Sequence, residues 1–286
     1  RRSTNGLLIN KNRIDNHTSP SIKRLLEGGA NLFARTTCPE FCWLFTCHSR
    51  MWGITRNPWR LDITPGGSSG GSAAALAAGA ATIATGSDSA GSIRQPSSQC
   101  GVVGYKPPYG RIPLSPSNSF DPFVQIGPMT RTVADAALMS NVMSGPHPSD
   151  HTSLCDKVLI PDKLPCITGM KIAVSRNLGY FLLADDVERE FMSSIHSLRD
   201  AGAFVEEISL SGLDDVIILS HGAQEFLAHE FLQQAIDSFP NMISDYVPEL
   251  LETALCFNSS DFRKSISLAG EIWQSHFGPL FQEYEA

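Results

Sequence analysis

The sequence predicts an α/β fold, a mixed β-sheet core with helices on both faces, and three observations carry that prediction. Its 286 residues are 42% apolar, enough for a large core arranged as one large or two ordinary domains. Between Lys171 and Ile208 the pattern runs strand, helix, strand, the order of layered α/β folds. From Pro65 to Pro107 two glycine-serine loops bracket a helix of small residues and a short strand.

Taken in order, the first element is a helix signalled by Ser19-Pro20, with Ile22, Leu25 and Leu26 on one face and Gly28-Gly29 closing it. Asn31 to Arg35 reads as a short strand. A helix then starts at Ser72 and takes in the run Ala73 to Ala81, followed by a strand over Thr82 to Gly86. Nine or ten helical residues advance about 15 Å and five strand residues return about 16 Å, so both glycine loops belong at one edge of the fold. The helix is apolar all round, which suits burial on every side with close backbone approach. Its amino end, with unpaired N–H groups and the positive dipole end, points into the Gly66 to Ser72 loop.

Thr132 with Asp135 makes a capping-box-like start for a helix running to about Met143, ended by Gly145-Pro146-His147-Pro148. Residues up to about Thr168 have the composition of a loop. Lys171 to Ser175 reads as a strand, Asp185 to Asp200 as an amphipathic helix and Phe204 to Ile208 as a second strand. After Leu213 the chain turns largely helical, with Phe226, Leu227, Phe231, Leu232 and Ile236 at helical spacing. His221, His229 and His276 lie there and read as surface or core residues without a catalytic role.

Composition excludes several classes. A net charge of −7 argues against nucleic-acid binding by phosphate neutralisation. No apolar stretch approaches eighteen residues and Arg1-Arg2-Ser3-Thr4-Asn5 leads into no signal-peptide core, so no membrane partner and a cytoplasmic location are expected. Seven cysteines, an odd count scattered through the chain, fit reduced thiols. Cys38, Cys42, Cys47 and His48 cluster, but without the paired C-x-x-C spacing of zinc ribbons, so no metal is expected, and no cofactor.

Two serine-bearing loops with exposed backbone amides facing one spot suit acyl transfer, in which a serine attacks a carbonyl and N–H donors hold the oxyanion. The alternative is that such loops turn the chain or bind an anion. Gly67-Ser68-Ser69-Gly70-Gly71 also fits the G-x-S-x-G elbow with Ser69 as nucleophile, although Trp59 to Pro65 lacks the apolar strand that elbow needs. A phosphate-binding loop fails for want of a lysine after the glycines, and Gly86 to Gly91 lacks dinucleotide-binding spacing.

Gly66-Gly67-Ser68-Ser69-Gly70-Gly71-Ser72, then Gly91-Ser92-Ile93-Arg94-Gln95-Pro96, then Cys100-Gly101-Val102-Val103-Gly104-Tyr105-Lys106-Pro107, resemble the amidase signature family. The flanks Gly53 to Trp59 and Gly127 to Asp135 agree, over about eighty residues in all. The resemblance implies amide hydrolysis through an acyl-enzyme. Ser92 matches the nucleophile, Ser68 the serine held after a cis peptide bond, and the amides of Ser89, Ala90, Gly91 and Ser92 the oxyanion hole. Position 90 is usually glycine in that pattern. Ser69, Asp88 and Arg94 are expected to support the loop, the last two as an ion pair across it. Lys106 matches a scaffold position, and Arg35 and Thr37 replace the family's usual lysine and asparagine.

The family's base is a neutral lysine, and none of Lys11, Lys23, Lys106, Lys157, Lys163, Lys171 or Lys264 has its position relative to Ser68. The expectation is therefore a single domain over 1–286 that is incomplete at both ends, with its signature core at about 53–135 and a helix-rich part at about 213–286. These residues alone are expected to turn over amides poorly. The expected partner is a small-molecule amide, with self-association into a homo-oligomer left open. Two other readings stand beside it: the amidase component of a tRNA-dependent amidotransferase, releasing ammonia from glutamine with partner subunits, and an inactive homologue acting as a binding or scaffold protein.

Overall fold

A computed structural model describes residues 2–117, 121–213 and 228–286. The chain forms two compact units, residues 1–164 with 234–247 and residues 165–233 with 248–286.

In the first unit, helix α1 (Pro20–Glu27) starts with proline at its first turn, where the missing N–H would have been unpaired anyway, and is closed by Gly28 and Gly29. Asn31 to Arg35, expected as a strand, has no strand partner among the described residues. The chain is tied down just beyond it instead: the Thr37 carbonyl accepts from Gly71 N–H at 3.2 Å, and the Thr36 and Ser72 hydroxyls meet at 2.8 Å. A short antiparallel hairpin, β1 (His48–Ser49) and β2 (Gly53–Ile54), follows.

Helix α2 (Gly70–Ala77) begins earlier and ends earlier than its run of alanines suggests. Gly79, at φ +71°, turns the chain: its N–H donates to Leu76 O at 3.0 Å while Ala80 N–H donates to Ala75 O at 2.8 Å, the two bonds of a Schellman cap. Strand β3 (Ile83–Asp88) then returns alongside, so the loops before α2 and after β3 share one edge. Helix α3 (Arg94–Cys100), strand β4 (Val103–Gly104) and strand β5 (Gln125–Thr130) complete the core. The sheet is antiparallel in the order β3-β5-β4, with Gly86 opposite Gly127. Helix α4 (Val133–Met143) carries the cap expected for it: Thr132 Oγ1 accepts from Asp135 N–H at 3.1 Å and donates to the Asp135 carboxylate at 2.7 Å.

The core explains why α2 is built from small residues. Ala73 and Leu76 are fully buried against Ile93, Cys100 and Met129, which brings α2, α3 and β5 together. Burying a side chain of the Leu, Ile or Met kind contributes about 1.5–3 kcal/mol. A second cluster joins Ile112 to Met139 and Met143 of α4.

In the second unit, β6 (Lys171–Val174) pairs in parallel with β7 (Phe204–Glu207), Ile172 opposite Val205, through helix α5 (Asp185–Asp200). Asp185, Asp186 and Glu188 in the first turn of α5 and Arg199 in its last complement the helix dipole. Residues 228–238 are helical (α6) and contain Phe231, Leu232 and Ile236, whereas His221, Phe226 and Leu227 lie outside the described residues. Helices α7 (Tyr246–Ala254), α8 (Ser259–Ile272) and α9 (Gly278–Glu283) follow, α8 opened by an Asn258–Asp261 capping box. The α/β class is the one the sequence predicts, with antiparallel pairing in the first unit and parallel pairing in β6–β7.

Candidate active site

The two serine-bearing loops meet. Ser69 N–H donates to the Ser92 carbonyl at 3.1 Å, so the turn that carries Ser92 is bonded directly to the residue after Ser68. Ser69 Oγ also accepts from Ser87 N–H at 3.2 Å and donates to Ser87 O at 3.3 Å, and Ser72 Oγ donates to Thr85 O at 2.9 Å. The Ser69 hydroxyl is thus fully used as a clasp between α2 and β3. That is structural work, and it speaks against Ser69 as a nucleophile.

The loop before α2 is pressed close by its neighbours. A Cβ on Gly67 would lie 2.5 Å from Leu44 O and 2.7 Å from Thr46 O, and one on Gly71 would lie 2.4 Å from the backbone of Thr37. The Gly67–Ser68 peptide is cis, as expected, and Ser68 is buried. Gln95, from the first turn of α3, staples this loop to the next: its Oε1 accepts from Gly67 N–H at 3.0 Å and its Nε2 donates to Phe45 O at 3.3 Å.

Ser92 sits half-buried in the turn between β3 and α3. The turn is gathered around Asp88, whose side chain is wholly buried. Its Oδ1 accepts from Gly91 N–H at 2.8 Å, and its Oδ2 from Ile93 N–H at 3.1 Å and Arg94 N–H at 3.2 Å. Arg94 closes on the same carboxylate with two bonds of 2.9 Å, the ion pair suggested by the sequence. Lys106 Nζ lies 3.2 Å from Asp88 Oδ1 and donates to the Ser89 carbonyl at 2.7 Å. Burial alone would raise the Asp88 pKa, but the Arg94 guanidinium, the Lys106 ammonium and the backbone donor outweigh it and hold the carboxyl well below the usual carboxylate range. Burial lowers the Lys106 pKa against the pull of Asp88, and the hydrogen bond to Asp88 raises that of Arg94.

The expected oxyanion donors fare differently from one another. The Gly91 amide is committed to Asp88, and Gly91 adopts φ +136°, a conformation that favours glycine. Ser89 Oγ donates to Asp121 at 2.8 Å, and Ala90 is exposed at the tip of the turn. Two contributors escape a reading of the sequence. Gln95 has no spacing signal, and Lys106 reads as scaffold because nothing in its local sequence shows that it reaches back to residues 88 and 89.

Elsewhere, Arg35 pairs with Asp15 at 3.7 Å, and Thr37 braces the start of α2. His229 lies in α6, and His276 bonds Ser211 O at 3.0 Å. Among the described residues no cluster of three or more His, Cys, Asp or Glu is placed to hold a metal, and no helix is long and apolar enough to cross a membrane.

Residues 1–255 match the amidase family. The A subunit of glutamyl-tRNA(Gln) amidotransferase from Brachyspira hyodysenteriae is 43% identical over 205 residues, covering 68% of this chain and 41% of that protein. The chain therefore spans less than half the length of that relative. A bacterial aryl acylamidase of the amidase signature family superposes with a TM-score of 0.82 at 25% identity, over 94% of this chain and 58% of the other. The corresponding glutamyl-tRNA(Gln) amidotransferase component from Thermotoga maritima superposes with a TM-score of 0.68 at 29% identity, over 98% and 59%.

Proposed function

The chain belongs to the amidase family, and from that premise we propose that it carries the nucleophile-bearing part of an enzyme that cleaves a carbon–nitrogen amide bond through Ser92. Ser92 Oγ attacks the amide carbonyl, Ser68 relays the proton, and the amides of Ser89, Ala90 and Ser92 stabilise the oxyanion, with Gly91 acting through its bond to Asp88. One oxyanion donor contributes about 3 kcal/mol in a comparable site. The amine leaves with the relayed proton, and water then releases the acyl group from Ser92. By resemblance the ultimate base is a neutral lysine. Lys106 does not fill that role, since its ammonium is bound to Asp88 and the Ser89 carbonyl.

The observation that carries this reading is the Ser69 clasp. It removes the hydroxyl that the G-x-S-x-G reading needs and fixes the Ser92 turn against the Ser68 loop. The test is labelling of the whole protein with a fluorophosphonate. Label is expected to be lost in Ser92→Ala and kept in Ser69→Ala; label that followed Ser69 would overturn the assignment, and a protein that never labels would favour the inactive homologue.

Among amidases, similarity in sequence favours the amidase component of a tRNA-dependent amidotransferase, with glutamine as the amide source: such a component is 43% identical over 205 residues. A net charge of −7 over these residues supports tRNA contact through partner subunits. Ammonia release from glutamine by the whole protein with its partner subunits, exceeding turnover of aryl and simple aliphatic amides, supports this substrate. The opposite ranking rejects it without touching the assignment of Ser92.

A further inference from the structure

The sulfurs of Cys38 and Cys42 lie 3.8 Å apart in the turn Cys38-Pro39-Glu40-Phe41-Cys42. Contacts outside the pair hold that turn in place. Glu40 is wholly buried and its carboxylate accepts from Arg50 N–H at 3.0 Å, Ser244 N–H at 2.8 Å and the Ser244 hydroxyl at 2.7 Å. Glu40 N–H donates to the Tyr246 hydroxyl at 2.9 Å and Phe41 N–H to Asn5 O at 3.0 Å. Phe41 and Cys42 both take left-handed backbone angles, φ +59° and +61°, which turn the second thiol back toward the first. Both cysteines are free thiols in half-buried residues.

We propose that Cys38 and Cys42 form a redox-active dithiol that closes to a disulfide by exchange with a small disulfide such as oxidised glutathione. The two sulfurs lie within one hydrogen bond of each other, so either can open the exchange. One cysteine thiolate attacks the small disulfide and releases one thiolate. The other cysteine then gives up its proton and displaces the second from the mixed disulfide. Two cysteine thiols are oxidised by two electrons, one small disulfide is reduced to two thiols, and the protons pass to the leaving thiolates. The place of the pair gives it consequence: Leu44 and Thr46, just beyond Cys42, supply the carbonyls packed against Gly67 of the Ser68 loop.

The experiment uses the whole protein incubated with oxidised glutathione, its remaining thiols alkylated in denaturant, then weighed intact and mapped by peptide. The expected result is a Cys38–Cys42 cross-link with a loss of about 2 Da, the two hydrogens of a closed dithiol. Cys38→Ser and Cys42→Ser should each stop instead at a glutathione adduct on the cysteine that remains. Recovery of Cys38 and Cys42 as alkylated thiols while Cys155, Cys166 or Cys256 take up glutathione overturns the proposal, as does a bond from either to a different cysteine. The wild-type map decides alone if the variants fail to fold, and none of these readouts depends on amide cleavage.

Discussion

At the residue scale the turn carrying Ser92 depends on Asp88. Six donor atoms meet one buried carboxylate: three backbone nitrogens, the two of the Arg94 fork and the Lys106 ammonium. Asp88→Asn would leave the two cations facing a neutral amide with a single acceptor oxygen, and should cost about 3 kcal/mol of stability in urea unfolding. The sign with pH follows from the lowered Asp88 pKa. A carboxyl held below its unfolded value of about 3.9 contributes stability that is full above that pH and is lost as pH falls through the folded value. Wild type should therefore lose stability below about pH 4 more steeply than Asp88→Asn, and parallel curves would show that Asp88 is not the titrating group. Lys106→Met removes the donor to the Ser89 carbonyl, and should lower kcat of the whole enzyme about tenfold or more while the fluorophosphonate still labels Ser92. Loss of both together would mean that the turn had collapsed.

At the element scale two glycines in helices predict opposite outcomes. A Cβ on Gly71, in the first turn of α2, has no room beside Thr37, so Gly71→Ala should lower the melting temperature sharply or prevent folding. Gly270 in α8 is exposed, with nothing within 4 Å of its added Cβ, and Gly270→Ala should raise stability by about 0.5–1 kcal/mol. Scanning calorimetry of the two variants checks both. The same contrast shows how much is legible in the sequence. Local signals suffice for α1, from its proline and glycines, for α4, from Thr132 and Asp135, and for α5, from its amphipathic pattern. They mislead at Asn31 to Arg35, because a strand needs a partner and sequence names none. At the site, the meeting of the two serine-bearing loops and the Asp88–Arg94 pair are legible from spacing. The Ser69 clasp, the Gln95 staple and the reach of Lys106 are not, since each is a contact across the fold with no local pattern.

At the scale of the whole molecule, the chain crosses from one compact unit to the next at residues 164 and 165. Just before it, Asn141 bonds both backbone groups of Ile160, and Arg111 bonds Asp156 O at 2.8 Å, so the stretch to Ile160 is anchored. Residues 161–166 are exposed. Brief tryptic digestion should therefore cut first after Lys163 and more slowly after Lys157, read by mass spectrometry of the early fragments. Early cleavage within 185–200 instead would place the weakest segment inside the second unit. The family membership, by contrast, rests on residues 1–255, and the stretch whose motifs point to it in sequence is the one where α2, β3 and α3 pack closely.

The Asp88 cradle also bears on the temperature dependence of the reaction proposed at Ser92. Its donors all come from the fold itself, so the turn is ordered during folding rather than during the chemical step. An acylation that begins from such an ordered turn has little conformational freedom left to lose on the way to its transition state. Its Eyring plot should then show a barrier that is almost wholly enthalpic, and loosening the turn at Lys106 should appear chiefly as a more negative activation entropy.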